Sequence, residues 1–330
     1  MKEFKISVAM ATYNGEKYVI KQLESIYNQS ILPDEIIIVD DCSTDNTIAL
    51  IKEYIMTHQE INCKLYINSV NVGYKKNFYR ALQSTSGDII FLADQDDEWK
   101  ENKIQCIIKV FQDNESVLSV NSSIEYIDEK SEKKEIKLQK NYYNGNFLYS
   151  KESIKRLNYY NKLYISKHNI SPGCTMAFRK IVLEEFLQIY NYSLPHDWFI
   201  NLLASYQNGC VYLDEKLTRY RIHSSNTIGA NTSIKTGIES KSNDIRIEDY
   251  TSRLAAINIL ENYFSDNLEM KNVELLYRRM ISFYMKPKLD KLICLYRTEG
   301  YLELAKKKVR IWEIVLALHL DNLIKFFLNI

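Results

Sequence analysis

IIFLADQDDEW, residues 89–99, is an apolar run that ends in acids. Ile89 to Ala93 has the length and the β-branched and aromatic content of a buried strand. Asp94, Asp96 and Asp97 follow within four residues, and Glu98 comes next. Carboxylates this close repel one another unless positive charge sits among them. Mg²⁺ and Mn²⁺ take oxygen ligands and commonly share their shell with substrate phosphates. Open α/β sheets bind ligands beyond the C-terminal ends of their strands. The stretch reads either as a metal–diphosphate site or as an acidic turn in which one Asp caps a helix starting near Lys100.

The same grammar repeats upstream. Lys5 to Ala11 reads as a strand, followed by a polar turn over Thr12 to Gly15. Val19, Ile20, Leu23, Ile26 and Tyr27 then recur at helical spacing. After Pro33, Glu35 to Val39 is a second strand running into Asp40-Asp41-Cys42-Ser43-Thr44-Asp45. Ser43 or Thr44 is placed to cap the next helix, whose apolar face is Ile48, Ile51, Tyr54 and Ile55. Lys64 to Asn68 is a third strand, Asn71-Val72-Gly73 a turn, and Lys75 to Gln83 a helix. Downstream of the acids a helix runs through Ile104, Ile107, Ile108 and Phe111. Strand and helix in alternation predict an α/β fold with a mostly parallel central sheet flanked by helices. Each polar cluster follows a strand, so all of them gather at one edge of the sheet.

Val117 to Ile127 continues the sheet. Residues 128–162 are charged and rich in Asn and Tyr, and read as a loop with one or two helical turns that acts as a lid. Organisation returns with ISPGCTMAFRK from Ile170 and a helix over Ile181 to Tyr190. Pro195-His196-Asp197-Trp198 then opens a helix over Phe199 to Tyr206. Val211 to Leu213 and Leu217 to Ile222 read as a hairpin, and residues 224–242 as a linker. From Asp244 the pattern is helical, broken at Pro287. The expected organisation is a domain over 1–230, with halves at 1–125 and 163–230, and a helical region over 231–330.

Composition excludes several classes. A net charge of +1 on 330 residues provides no field for nucleic acid. The six cysteines are scattered, without CxxC or Cys/His clustering, which suits a reducing compartment. The N-terminal residues read as a first strand and not as a signal peptide, and no apolar run approaches the roughly 20 residues of a spanning helix. No GxGxxG follows the first strand, and neither GxxxxGK[ST] nor GxSxG occurs.

Five features remain at the strand ends. ATYNGE (11–16) offers small and hydrogen-bonding residues to a base or ribose. DDCSTD (40–45) offers acids to a pyrimidine N–H or ribose hydroxyls. Lys76 can meet a phosphate or base carbonyl. DQDD (94–97) can hold a metal. HDW (196–198) puts an Asp at a helix start, beside an aromatic ring suited to stack on a sugar. Each also has a structural reading: Thr12 and Asn14 as turn formers, Asp40 and Asp45 as helix caps, Asp197 as an N-cap.

In this order, SVAMATYNGEKYVIKQLESIYNQ, DEIIIVDDCSTDNT, NVGYKKNF and GDIIFLADQDDEW resemble the N-terminal half of family 2 glycosyltransferases with a GT-A fold. SPGCTMAFRK, HDW and YRIHSSNTIGA (220–230) resemble the bacterial rhamnosyltransferase-like branch. The resemblance spans roughly residues 5–230. It implies that Thr12, Asn14 and Glu16 lie at the nucleotide pocket, with Asp40 and Asp41 on base and ribose. Lys76 stands where the family often has Arg. Asp94 and Asp96 form the family's DxD, with Asp94 on ribose or a water and Asp96 on the metal, which His223 also ligates. Gly173 and Cys174 would line the acceptor side, and Asp197 would be the general base. His196 departs from the Glu that precedes this Asp in many relatives.

The implied activity is an inverting, metal-dependent (Mn²⁺ or Mg²⁺) transfer from a nucleotide-sugar donor to a glycan or lipid-linked saccharide in bacterial surface polysaccharide synthesis. dTDP-rhamnose is the first donor and a UDP-hexose the second. A catalytically silent nucleotide-sugar-binding subunit and a metal-dependent phosphohydrolase are the competing classes; the latter needs a denser His/Asp cluster than five histidines allow. Lys306, Lys307, Lys308 and Arg310 precede a stretch in which Glu313, Ala317, Asp321 and Lys325 recur every four residues. That pattern is an amphipathic helix with a basic entry, suited either to the inner face of the cell membrane or to packing on its own domain or a second subunit of a homodimer.

Overall fold

The structure is a computed structural model, and it describes residues 4–136, 146, 148, 154–223, 243–265 and 268–285. The first half runs β1 (Ile6–Thr12), α1 (Val19–Tyr27), β2 (Glu35–Asp40), α2 (Thr47–Thr57), β3 (Asn62–Ile67), α3 (Tyr74–Gln83), β4 (Ile89–Asp94), β5 (Glu98–Trp99) and α4 (Lys103–Asp113). The second half adds β6 (Ser119–Ile127), β7 (Leu157–Tyr159), α5 (Lys162–Ile165), a 3-10 turn (Gly173–Thr175), β8 (Met176–Arg179), α6 (Lys180–Ile189), α7 (His196–Tyr206) and β9 (Cys210–Arg221). Two helices follow, α8 (Asn243–Phe264) and α9 (Leu268–Met285).

The strands form one sheet in the order β3-β2-β1-β4-β8-β6-β9-β5, with β7 also paired to β9. β3, β2, β1 and β4 are parallel. β8 is antiparallel to both β4 and β6, whereas β6 and β9 are parallel to each other. The α/β class and the mostly parallel sheet expected from the sequence are what the chain adopts. β2 and all of β4 but its last residue are buried on both faces, which is why they read as unbroken apolar runs. Val8, Met10, Ile36, Ile38, Phe91 and Ala93 share one core with Val19, Leu23 and Ile26 of α1 and with Ile104, Ile107 and Phe111 of α4.

Register fixes the site. Thr12 pairs with Asp40 and Ala11 with Asp94, so the first, second and fourth strands end level and present their polar residues together.

Several expectations need correction. The hairpin over Val211 to Ile222 is a single strand. Ser122 pairs with Leu213 and Ser123 with Lys216, so Asp214 and Glu215 bulge out of a strand that stays parallel to β6. Asp214-Glu215-Lys216 has the composition of a turn. The stretch 128–162 contains the strand β7, antiparallel to β9; residues 137–145, 147 and 149–153 of the expected lid lie outside the described residues. Neither Ser43 nor Thr44 caps α2, whose N-cap is Asn46. No Asp caps α4, whose N-cap is Asn102. Helix α7 begins at His196, so Asp197 lies in its first turn and Pro195 takes the N-cap. The linker 224–242 and the stretch 286–330, with the basic amphipathic pattern, also lie outside the described residues.

The chain divides into two compact units, one of residues 1–237 with 259–266 and the other of residues 238–258 with 267–330. Among the described residues no helix is long and apolar enough to cross a membrane.

Candidate active site

The floor of the site is a lattice of protein–protein hydrogen bonds. Asp40 is wholly buried, and its carboxylate accepts from Thr12 Oγ1 (2.7 Å), Ser43 N (2.8 Å) and Ser43 Oγ (2.7 Å). Asp41 is also buried and accepts from Asn68 Nδ2, Val72 N and Gly73 N, each at 2.8 Å. The oxygens of these two acids, the pair expected on base and ribose, brace the strand ends and the turn that begins α3. Asn14, at φ 47°, accepts from Thr44 N (2.8 Å), and Glu16 accepts from Asn46 N (3.0 Å) and Nδ2 (2.9 Å). The turn after β1 is thereby laced to the loop after β2. Gln95 pairs in both directions with the backbone of Tyr13, at 2.8 and 2.9 Å. A Cβ at Gly15 would stand 2.2 Å from Gln95 Oε1, so a larger residue there would have to displace the Gln95 side chain from Tyr13.

Lys76 is not brought into this lattice. It is exposed, with Nζ 6.0 Å from the Tyr192 ring centroid. Arg80, one turn further along α3, reaches inward instead and donates to Asn68 Oδ1 at 2.5 Å.

The acids after β4 converge. His223 Nε2 lies 2.8 Å from Asp96 Oδ2, which joins the two residues picked as metal ligands although they are 127 positions apart. Asp94, Asp97 and Cys174 bring ligand atoms within 4.8 Å of one another. Burial pushes the Asp94 carboxyl well above the ordinary carboxylate value, and the charges of Asp97, Asp96 and Asp197 push it the same way. Asp97 is pushed up to about 7 by burial and then by Asp96. Asp97 Oδ1 accepts from Arg221 N at 2.9 Å, while Oδ2 is buried with no N–H or O–H partner among the described residues, and the Cys174 thiol lies beside the carboxyl.

An orphaned buried carboxylate oxygen among mutually repelling acids, with an imidazole beside them, fits a hard divalent cation. The Cys174 thiol, fully buried and held well above its usual value by burial and then by the nearby acids, fits one less well, because sulfur is a softer ligand than such a cation prefers.

Two cations unmarked by the sequence reading support this cluster. Lys103 is wholly buried and donates to Cys174 O (2.5 Å) and Thr218 Oγ1 (3.0 Å), with Nζ 3.9 Å from the Trp99 ring centroid. Burial drives it down to about 7 against the attraction of Cys174, Asp97 and Asp94. Arg221, also wholly buried, donates to Asp96 O (2.8 Å), Asp128 O (2.7 Å) and Glu98 Oε1 (2.5 Å). It stacks 4.7 Å from the Tyr18 ring, which in turn lies 5.1 Å from His223. Arg221 could have been suspected from its place two residues before His223; Lys103, in an ordinary amphipathic helix, gave no signal.

Asp197 is buried at the start of α7, and its charge reaches Asp94. A Cβ on Gly173 would stand 3.3 Å from Asp197 Cβ and 3.3 Å from His196 Nε2, so the 3-10 turn passes directly over this pair. Burial raises the Asp197 carboxyl, against a hydrogen bond from Asn169 and the N–H groups of Trp198 and of Asp197 itself. His196 stacks on Phe78 at 4.0 Å, and burial with the charge of Lys75 drives it down to about 3, so it is neutral. Trp198 is buried and donates its indole N–H to Ile165 O (2.7 Å). It anchors α7 to α5.

The fold and the acids at its strand ends define the class: this is a glycosyltransferase with a GT-A type sheet. The chain belongs to glycosyl transferase family 2, whose family model matches residues 7–186. It is 33% identical over 240 residues to the dTDP-rhamnosyl transferase RfbG of Shigella flexneri, covering 68% of this chain and 75% of that protein. An uncharacterized glycosyltransferase of Haemophilus influenzae is 28% identical over 230 residues, covering 67% of each. Among solved structures, TarS 1–349 of Staphylococcus aureus in complex with UDP-GlcNAc superposes with a TM-score of 0.57 at 19% identity, covering 89% of this chain and 73% of that one. The mannosyltransferase PcManGT of Pyrobaculum calidifontis, in complex with GDP-Man and Mn²⁺, gives 0.51 at 13% identity, covering 96% and 81%. At such identities the likeness is one of fold.

Proposed function

We propose that this chain is an inverting, divalent-metal-dependent transferase that moves a sugar from a nucleoside-diphosphate sugar to a hydroxyl of a glycan or lipid-linked acceptor in bacterial surface polysaccharide synthesis. The observation that carries the reading is the nearness of the buried Asp197, whose charge reaches Asp94, to the acid cluster of Asp94, Asp96 and Asp97 with His223. A base close to a cation-seeking cluster suits a displacement in which one group takes the acceptor proton and the other receives the leaving diphosphate.

Asp197 accepts the proton of the acceptor hydroxyl, whose oxygen then attacks the anomeric carbon from the face opposite the leaving diphosphate. A carboxyl raised by burial is the stronger base for this step. Asp96 and His223 would hold the metal, with Asp94 and Asp97 beside them; a bound divalent cation supplies neutralisation of charge on the leaving diphosphate. Cys174, whose thiol is held protonated, is no candidate for a covalent nucleophile, which favours single displacement and inversion.

The similarity to a rhamnosyl transferase over most of its length favours dTDP-rhamnose, with a UDP-hexose second. The silent-subunit reading is opposed by the full set of Asp94, Asp96, Asp197 and His223. Residues 306–330, by their sequence pattern, would hold the enzyme at the inner membrane face. Flotation with anionic liposomes should be lost when residues 305–330 are removed, and equal flotation of both forms would rule the tail out.

Asp197→Asn tests the chemistry. It should retain donor binding and lose transfer by about 10²–10⁴-fold. Unchanged turnover would remove Asp197 from the role.

A further inference from the structure

Among the described residues, the Asp197 carboxylate accepts a hydrogen bond from one neighbouring side chain: Asn169 Nδ2 lies 3.0 Å from Asp197 Oδ2. The orientation of that amide is set locally, because Asn169 Oδ1 accepts the N–H of Ile170 at 2.9 Å. With its oxygen committed to its own backbone, the amide has only its NH₂ to turn toward the carboxylate. The segment is tied to α7 a second time, four residues earlier, where Ile165 O accepts from Trp198 Nε1 at 2.7 Å. Downstream the same segment enters the Gly173 turn that crosses Asp197. Asn169 thus sits between an anchored helix and the turn that roofs the candidate base.

We propose that Asn169 is the positioning residue of Asp197: its amide fixes one carboxylate oxygen, so that the other is presented to the acceptor hydroxyl, and it favours the ionised carboxylate. The inference rests on the transferase reading above. The electrostatics agree in sign. A donor to the charged form opposes the rise that burial imposes, and removing it lets the carboxyl rise further. Other titratable groups feel Asp197 from the elements around it: Asp94 at the end of β4, Tyr74 in α3 and Tyr190 after α6. Tyr74 is pushed up to about 12 by burial and then by Asp197, Tyr190 is raised in the same way, and the neighbouring His196 is neutral. These groups are common to every variant below, so a difference between the variants and wild type reports the change at Asn169 alone.

Two measurements on the full chain test this. The first is a ¹³C-carboxyl NMR titration of Asp197, assigned by the loss of its signal in Asp197→Asn. The second is the pH profile of nucleoside-diphosphate release from whichever of dTDP-rhamnose, UDP-glucose, UDP-galactose and UDP-N-acetylglucosamine the wild type turns over. Asn169→Ala should raise the Asp197 titration and the acid limb of kcat together by about one pH unit, a tenfold change in proton affinity. Donor Kd should stay at the wild-type value. Asn169→Asp keeps the bond from Ile170 N–H but sets a second carboxylate beside the first, and should raise both by more. If Asn169 only ties its loop to α7, thermal stability falls while both pH midpoints stay at wild type in both variants, which overturns the proposal. Failure of the transferase reading shows differently: Asp197→Asn would release nucleoside diphosphate at the wild-type rate whatever Asn169 does to the titration.

Discussion

Asp40, Asp94 and Asp197 carry the same functional group in three settings, and the setting decides what each can do. Asp40 is filled by Thr12 and Ser43 and holds two strands level. Asp94 and Asp197 are both raised by burial; the neighbouring acids add to the rise at Asp94, while at Asp197 hydrogen bonds from Asn169 and two backbone N–H groups offset part of it. All three acids are visible in the sequence, but their division into braces and reactive groups depends on partners such as Asn169, whose type and position mark nothing. Glu35 is a fourth case. It is buried, and its Oε1 accepts from Ser7 Oγ (2.6 Å), Ser86 N (2.6 Å) and Ser86 Oγ (2.8 Å). Burial would raise this carboxyl, but the three bonds outweigh it and the net shift is downward. A folded-state value below the unfolded one means stability that is present above the unfolded value and is lost as pH falls through the folded one. Glu35→Gln should therefore cost about 1–3 kcal/mol at neutral pH and little in acid. The measurement is Tm against pH for both proteins, which should converge as pH falls through the lowered folded-state value of Glu35; parallel curves would show that the charge at Glu35 is irrelevant.

Among the elements, those with one strong signal are the ones the sequence makes legible. β2 and β4 read as strands because both faces are buried, and α1 reads as a helix because one stripe is. β9 does not read as one strand, since Asp214-Glu215-Lys216 has turn composition. In the structure Ser123 Oγ donates to Asp214 Oδ1 (2.8 Å) and Asp214 N to Arg156 O (2.8 Å), so tertiary partners hold the bulge in a continuous strand. β5, two residues long, is defined only by its pairing with β9. Element junctions also set tolerances. A Cβ at Gly87 would stand 2.5 Å from Ser7 Oγ, 2.7 Å from Ser7 N and 2.9 Å from Lys5 O. Two of those atoms are backbone, so Gly87→Ala must move β1 against β4 and should cost about 1–3 kcal/mol. Gly87 lies just before β4, at the opposite end of the strand from Asp94, so Tm should fall with donor Kd unchanged. A Tm equal to wild type would mean that the close approach relaxes freely.

At the scale of the whole molecule, a parallel sheet gathers residues distant in sequence at one edge, and this is why an ordered set of short motifs was informative where each alone was ambiguous. His223 and Asp96 meet across 127 positions because β9 returns beside the loop that follows β4. The central claim is that this edge binds a nucleotide sugar through a divalent cation. Calorimetry with dTDP-rhamnose, UDP-glucose, UDP-galactose and UDP-N-acetylglucosamine, each with Mn²⁺ and with EDTA, tests it most directly. One donor should bind with Mn²⁺, fail to bind with EDTA, and fail to bind Asp96→Ala under either condition. Binding of that donor with equal affinity in Mn²⁺ and EDTA, or binding of none in either, would contradict the claim.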